Sequence, residues 1–100
     1  MALTQDSARS ISAPSELGLD TRVSFREAAV ALLEELSDGG ALHVDLSATT
    51  RVDSAGLSAL MLIQRRAADR GQRIVLRNPS DEFRFLLALT QLTDLFEVGG

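Results

Sequence analysis

Apolar positions switch period along the chain, and each switch marks an element. The clearest block is residues 42–66, LHVDLSATTRVDSAGLSALMLIQRR. Residues 42–46 read as a buried strand, and a short polar loop follows. From Asp53-Ser54 onward, Leu57, Leu60 and Met61, with Ile63 less regularly placed, recur at three- and four-residue spacing. That spacing predicts a helix from Ser54 to about Arg70 with one apolar stripe, stopped by Gly71. Upstream, Val23, Phe25, Ala28, Ala29, Leu32, Leu33 and Leu36 trace another helical face, opposite Arg26, Glu27, Glu34 and Glu35. Thr21 or Ser24 can supply its N-cap, and Asp38-Gly39-Gly40 its end. Downstream, QRIVLR (72–77) reads as a strand and Asn78-Pro79-Ser80 as a turn. Ser80 can cap a third helix, with Phe83, Leu86, Leu87 and Leu89 or Thr90 facing inward. A turn around Thr93-Asp94 and a short LFEV strand close the pattern.

The opening stretch is less regular. Residues 1–9 are small and polar, and are expected to be mobile or a weak edge strand. Residues 10–17 contain Pro14 and make an edge strand at best, because proline donates nothing to a ladder. Strands that alternate with helices run parallel with right-handed crossovers. The pattern therefore predicts a single α/β domain over residues 1–100. Its small mixed sheet should be covered by amphipathic helices mainly on one face. Val44, Leu46, Leu57, Leu60, Met61, Ile74, Leu76, Leu86 and Leu87 are the expected core.

Composition narrows the function. Hydrophobic residues make up 45% of 100 positions, enough for one globular core and little more. Cysteine is absent, which removes disulfides, thiolate metal sites and cysteine nucleophiles. A net charge of −4 points away from nucleic acid and anionic membranes. All 10 basic residues are arginine, which removes lysine Schiff-base chemistry. There is no membrane-length apolar run and no signal-peptide core, so the expected location is the cytoplasm, without membrane insertion. No phosphate loop, dinucleotide fingerprint or nucleophile elbow occurs. His43 stands alone on a strand. Asp45, Asp53 and Ser54 around one loop could hold Mg²⁺ in principle, but their simpler roles are caps and turns. No catalytic, cofactor-binding or metal-binding residue is therefore assigned.

One detail resists the capping reading. A cap requires Asp or Ser, whereas here both occur, followed by Ala-Gly. Ser54 lies where helix N–H groups gather, and a phosphate there would be well received. Gly56 lowers helix propensity, and its missing side chain would leave an approach for another molecule. The arrangement suits a modification site or a docking point.

The stretches VDLSATTRVDSAGLSAL (44–60), RIVLRNPS (73–80) and LLALTQLTDLF (86–96) resemble the STAS domain family. That family includes anti-sigma-factor antagonists and the C-terminal domains of sulfate transporters. The resemblance implies a non-enzymatic protein-interaction domain that binds an anti-sigma factor and serine kinase. It further implies that phosphorylation at Ser54 switches binding off. Asp53, Ser54, Ala55, Gly56, Leu57 and Asp20 then form the partner surface. A second branch is also similar, the cytoplasmic subunit that binds the ATPase of phospholipid-trafficking transporters, whose motif often reads Asp-Thr-Ala-Gly-Leu. The opening third departs from the family. Its usual Gly-Glu-Leu-Asp turn aligns with Ser15-Glu16-Leu17-Gly18, so Gly18 stands where the aspartate would be and Asp20 follows two residues later. The resemblance leaves a homo-oligomer open.

Overall fold

The computed structural model describes residues 6–99. In chain order the elements are β1 (Asp6–Ser12), β2 (Glu16–Leu17), α1 (Arg22–Leu33), β3 (Leu36–Asp45) and β4 (Arg51–Val52). They are followed by α2 (Ser54–Asp69), β5 (Arg73–Arg77), α3 (Asp81–Leu89), a 3-10 turn (Thr93–Leu95) and β6 (Glu97–Gly99). The main sheet has the order β1-β3-β5-β6, and β2 and β4 form a separate two-stranded ladder. Every pairing is parallel, including β2 with β4. The α/β fold is as the sequence predicts, but the sheet is uniformly parallel rather than mixed. The reason is that α1, α2 and α3 each separate neighbouring strands, and a crossover returns the chain in the same direction.

Alternation along the strands divides the sheet into two faces. Leu42, Val44, Ile74 and Leu76 are buried and share one core with Phe25, Ala29, Leu33, Leu60 and Ile63 of the helices. In register with one another on the opposite face lie Ala41, His43 and Asp45 of β3 and Arg73, Val75 and Arg77 of β5, with Glu97 of β6 beside Val75. Polar pairs bind that face together. Arg73 bridges Glu97 at 2.7 Å, and the Arg77 Nε–H donates to His43 Nδ1 at 3.1 Å. The single histidine thus makes a surface hydrogen bond on a strand.

The helix ends differ in how far local sequence sets them. Ser80 Oγ accepts from the Phe83 N–H at 3.1 Å, the expected cap of α3. Gly71, at a φ of 69°, ends α2 one residue after Arg70. By contrast α1 stops at Leu33, well before Gly39-Gly40. Its end is held from afar, because Gln72 Nε2 donates to the carbonyls of Leu33 (2.9 Å) and Leu36 (3.0 Å). Leu36 therefore opens β3 instead of continuing the helix. Gly39, at a φ of 78°, sits inside β3 near a register shift against β1. Thr21 does not cap α1 with its side chain; its hydroxyl donates to the Glu16 carbonyl at 2.8 Å.

Several core assignments change. Met61 is 38% exposed while Ile63 is fully buried. The inward stripe of α2 is Gly56, Ala59, Leu60, Ile63 and Ala67, and Met61 lies one step beyond it. Leu57 and Leu86 are only partly buried, packed against the core's edge. Val23 and Leu89 are exposed. Residues 6–9 belong to the edge strand β1, and the expectation for residues 1–5 lies outside the described residues. The loop expected between β3 and α2 contains β4, whose two residues pair with Glu16 and Leu17.

The packing generates a paired test. Leu60→Ala should cost about 2–5 kcal/mol through lost burial and a residual cavity. Met61→Ala should stay within about 0.5 kcal/mol. Urea denaturation of both variants checks the assignment of the stripe.

Candidate functional site

In a parallel sheet the loops leaving the strands' carboxyl ends lead into helix N-termini, and ligands gather there. Here the loop after β2 leads into α1, the segment after β3 leads through β4 into α2, and the loop after β5 leads into α3. Asp53 is the joint of this end of the molecule. It is the N-cap of α2, and its Oδ1 accepts from the Gly56 N–H at 2.9 Å. Its Oδ2 accepts from the Leu19 N–H at 3.2 Å. Its own N–H donates to the Leu17 carbonyl at 3.2 Å. One residue thus ties the β2–α1 loop to the mouth of α2.

The Gly56 N–H chiefly holds the Asp53 carboxyl below its ordinary value of 3.8. Desolvation opposes this, while the Leu19 and Ala55 N–H groups and the Arg51 charge assist. Asp45 is also lowered, first by the backbone N–H of Ser47, then by the side chains of Ser47 and Asn78. Its role is to close a turn, with Oδ1 accepting from the Ser47 N–H at 2.9 Å. Asp45 lines neither groove beside Asp53. Among the described residues no group of three or more His, Cys, Asp or Glu side chains could hold a metal ion.

The six residues assigned from sequence are distributed as follows. Ser54 is the first residue of α2 and is exposed. Because Asp53 performs the capping, the Ser54 hydroxyl is not needed for it. Ala55 and Leu57 are half-buried, and Asp20 is exposed on the loop before α1. Gly56 is buried, and its role differs from the one expected. A Cβ there would overlap the Leu17 carbonyl oxygen, so the missing side chain admits β2 and not another molecule. Gly18 is constrained from the other side, since a Cβ on it would collide with the Asp53 carboxylate.

Two open grooves flank Asp53. One, about 460 Å³, includes Glu16, Leu19, Asp20, Arg51 and Asp53. The other, about 340 Å³, runs between Thr49, Arg51, Val52 and Asp53 on one side and Ser80, Phe83 and Leu86 on the other. Leu19 and Arg51 leave no mark in the sequence pattern. The two-residue ladder that places Arg51 is too short to show a period, and a lone leucine in a loop is unremarkable.

The family model described as "Mlab, STAS domain" matches residues 2–97. No curated protein matches the chain. Among solved structures, a Thermotoga maritima protein assigned as an anti-sigma factor antagonist superposes with a TM-score of 0.79 at 17% identity, over 98% of this chain and 83% of that one. The anti-sigma factor antagonist SpoIIAA in its unphosphorylated form gives 0.70 at 15% identity, over 100% of this chain and 84% of that one. A sulfate transporter family protein from Wolinella succinogenes gives 0.71 at 13% identity, over 98% and 80% of the two chains. At these identities the likeness is one of fold.

Two outcomes test the geometry. Gly56→Ala should destabilise by about 1–3 kcal/mol, since β2 must move to admit the methyl group; thermal or urea unfolding reads this. The lowered Asp53 carboxyl contributes stability in full above its ordinary value of 3.8, and loses it as pH falls through the lower folded value. Asp53→Asn should therefore make the acid limb of a melting-temperature profile shallower without abolishing it, because Asp45 is shifted in the same direction.

Proposed function

The chain belongs to the STAS domain family, and we propose that it is a non-catalytic regulatory domain that docks on a partner protein and is switched by phosphorylation of Ser54. The observation that carries this reading is a division of labour at the mouth of α2. Asp53 caps the helix, and Ser54 beside it holds an exposed hydroxyl with no capping duty. The partner is an ATP-dependent serine kinase of the anti-sigma-factor class. It transfers the γ-phosphoryl group of ATP to Ser54 Oγ, the hydroxyl proton leaves, and ADP is released. The likeness in fold to anti-sigma factor antagonists supports this choice. No helix of the described residues is long and apolar enough to cross a membrane, in keeping with a domain acting in the cytoplasm.

Phosphorylation adds a charge of roughly −1.5 to −2 and three acceptor oxygens. A helix N-terminus tolerates such a group. A partner surface shaped around a neutral hydroxyl does not, since docking would strip water from phosphate and from the Asp53 carboxylate together. Asp53, Ser54, Ala55, Leu57 and Asp20 are the residues that meet the partner. Gly56 serves them from below by letting β2 approach.

A second reading has its own support. Asp53-Ser54-Ala55-Gly56-Leu57 is close to the Asp-Thr-Ala-Gly-Leu wording of the transporter-subunit branch. The fold also resembles that of a sulfate transporter family protein. On that reading the same surface binds a transporter ATPase, and Ser54 acts as a contact without modification.

Incubation with an anti-sigma serine kinase and ATP should place one phosphate on Ser54. The phosphorylated protein should bind the kinase at least about tenfold more weakly with little change in melting temperature. Ser54→Ala should bind constitutively and Ser54→Asp weakly. Equal binding by wild type and both variants, or no phosphate on Ser54, defeats the switch and leaves the transporter-ATPase reading.

A further inference from the structure

The loop between β2 and α1 carries a feature that the switch does not use. Leu19 is 66% exposed, among the most exposed of the large apolar side chains described. A single exposed leucine is ordinary on a surface, but the backbone beneath this one is fixed from several directions. Its own N–H donates to Asp53 Oδ2. The preceding Gly18 N–H donates to Thr21 Oγ1 at 3.0 Å, and that hydroxyl donates in turn to the Glu16 carbonyl. The N–H groups of Thr21 and Arg22 both bond the Gly18 carbonyl, at 3.1 and 2.8 Å. A side chain on Gly18 would displace the Asp53 carboxylate that holds this loop. A loop constrained in this way presents its leucine at little further entropic cost on binding.

The position of the leucine connects it to the site already described. Leu19 and Asp53 border the same groove, together with Glu16, Asp20 and Arg51. The charges on that groove are therefore mostly negative. We propose that Leu19 is the apolar anchor of the partner interface, and that its complement on the partner is an apolar pocket edged by Arg or Lys side chains. The proposal rests on the reading of Ser54 and Asp53 as a docking site. Within the β2–α1 loop, where Asp20 already belongs to that surface, it adds Leu19 as the anchor, next to the position where this chain has Gly18 in place of the family's usual aspartate. Specificity then comes from a leucine seated by the Asp53 carboxylate, with the surrounding carboxylates steering basic groups toward it.

Leu19→Ser and Leu19→Met, measured for binding to the purified anti-sigma serine kinase by titration calorimetry, separate this proposal from the reading beneath it. Leu19→Ser should weaken binding at least about tenfold, the scale of burying one leucine. Its melting temperature should hold, because the side chain is outside the core. Leu19→Met should bind within about threefold of wild type, since it keeps the apolar volume. Wild-type affinity should also fall as salt rises, and Asp20→Asn should reduce that slope. If Leu19→Ser binds like wild type, or Leu19→Met loses as much as Leu19→Ser, the anchor is wrong while the Ser54 switch stands. If the wild-type protein neither binds the kinase nor takes phosphate from it, both fall together. If Leu19→Ser melts substantially lower, Leu19 is a structural residue and the proposal fails.

Discussion

The close approach of α2 to β2 constrains everything around the candidate site. Gly56 lets the helix reach the Leu17 backbone, and Gly18 lets the following loop reach the Asp53 carboxylate. The carboxylate then bonds an N–H from each segment. None of these bonds is strong alone, because Asp53 is exposed and water competes for its oxygens. Their effect is geometric. A side chain at Gly56 would force β2 away and one at Gly18 would displace the Asp53 carboxylate, so both glycines permit the close approach and the carboxylate fixes the register between the two segments. The β2–α1 loop is therefore tied to the residue immediately before Ser54, although 34 residues separate Leu19 from Asp53.

How much of this could be read from sequence depends on whether the cause was local. Ser80 caps α3 within three residues, and Gly71 stops α2 at its own position, so both boundaries were legible. The end of α1 was not. Its last carbonyl is satisfied by Gln72, 39 residues further on, and nothing near Leu33 announces a stop. The apolar period even continues through Leu36, which is buried as expected but in a strand. Met61 and Ile63 exchange their expected places for a similar reason. Neighbours on a helix differ by about 100°, and the sequence does not show where the edge of the buried stripe falls.

The candidate site divides the same way. Asp53-Ser54-x-Gly at the start of an apolar period locates an exposed hydroxyl at a helix mouth from local chemistry alone. Gly56 is too costly for an ordinary helix position, and the object that needs the space is Leu17 of the same chain. A sequence shows that a side chain is missing; only the fold shows what occupies the gap. Leu19 and the ladder placing Arg51 were invisible because each depends on a contact between segments with no periodic signature.

On the switch reading, the proportion of forces around Ser54 decides where its effect must lie. A phosphate at the first residue of α2 gains about 0.3–1 kcal/mol from the helix N-terminus. It also meets the neighbouring Asp53 carboxylate, whose repulsion is screened by the water around that exposed group. The two oppose one another and both are weak where water reaches, so the isolated domain has little reason to rearrange. A docked partner excludes that water. The same pair of charges at an effective dielectric near 20 repels about four times as strongly, and each charge loses hydration as well. The helix contribution cannot grow enough to offset both. The switch is thus a property of the interface rather than of the fold, and Asp53 is its fixed half: the residue that seats the Ser54 helix also supplies the negative charge that makes a second one there intolerable to a partner.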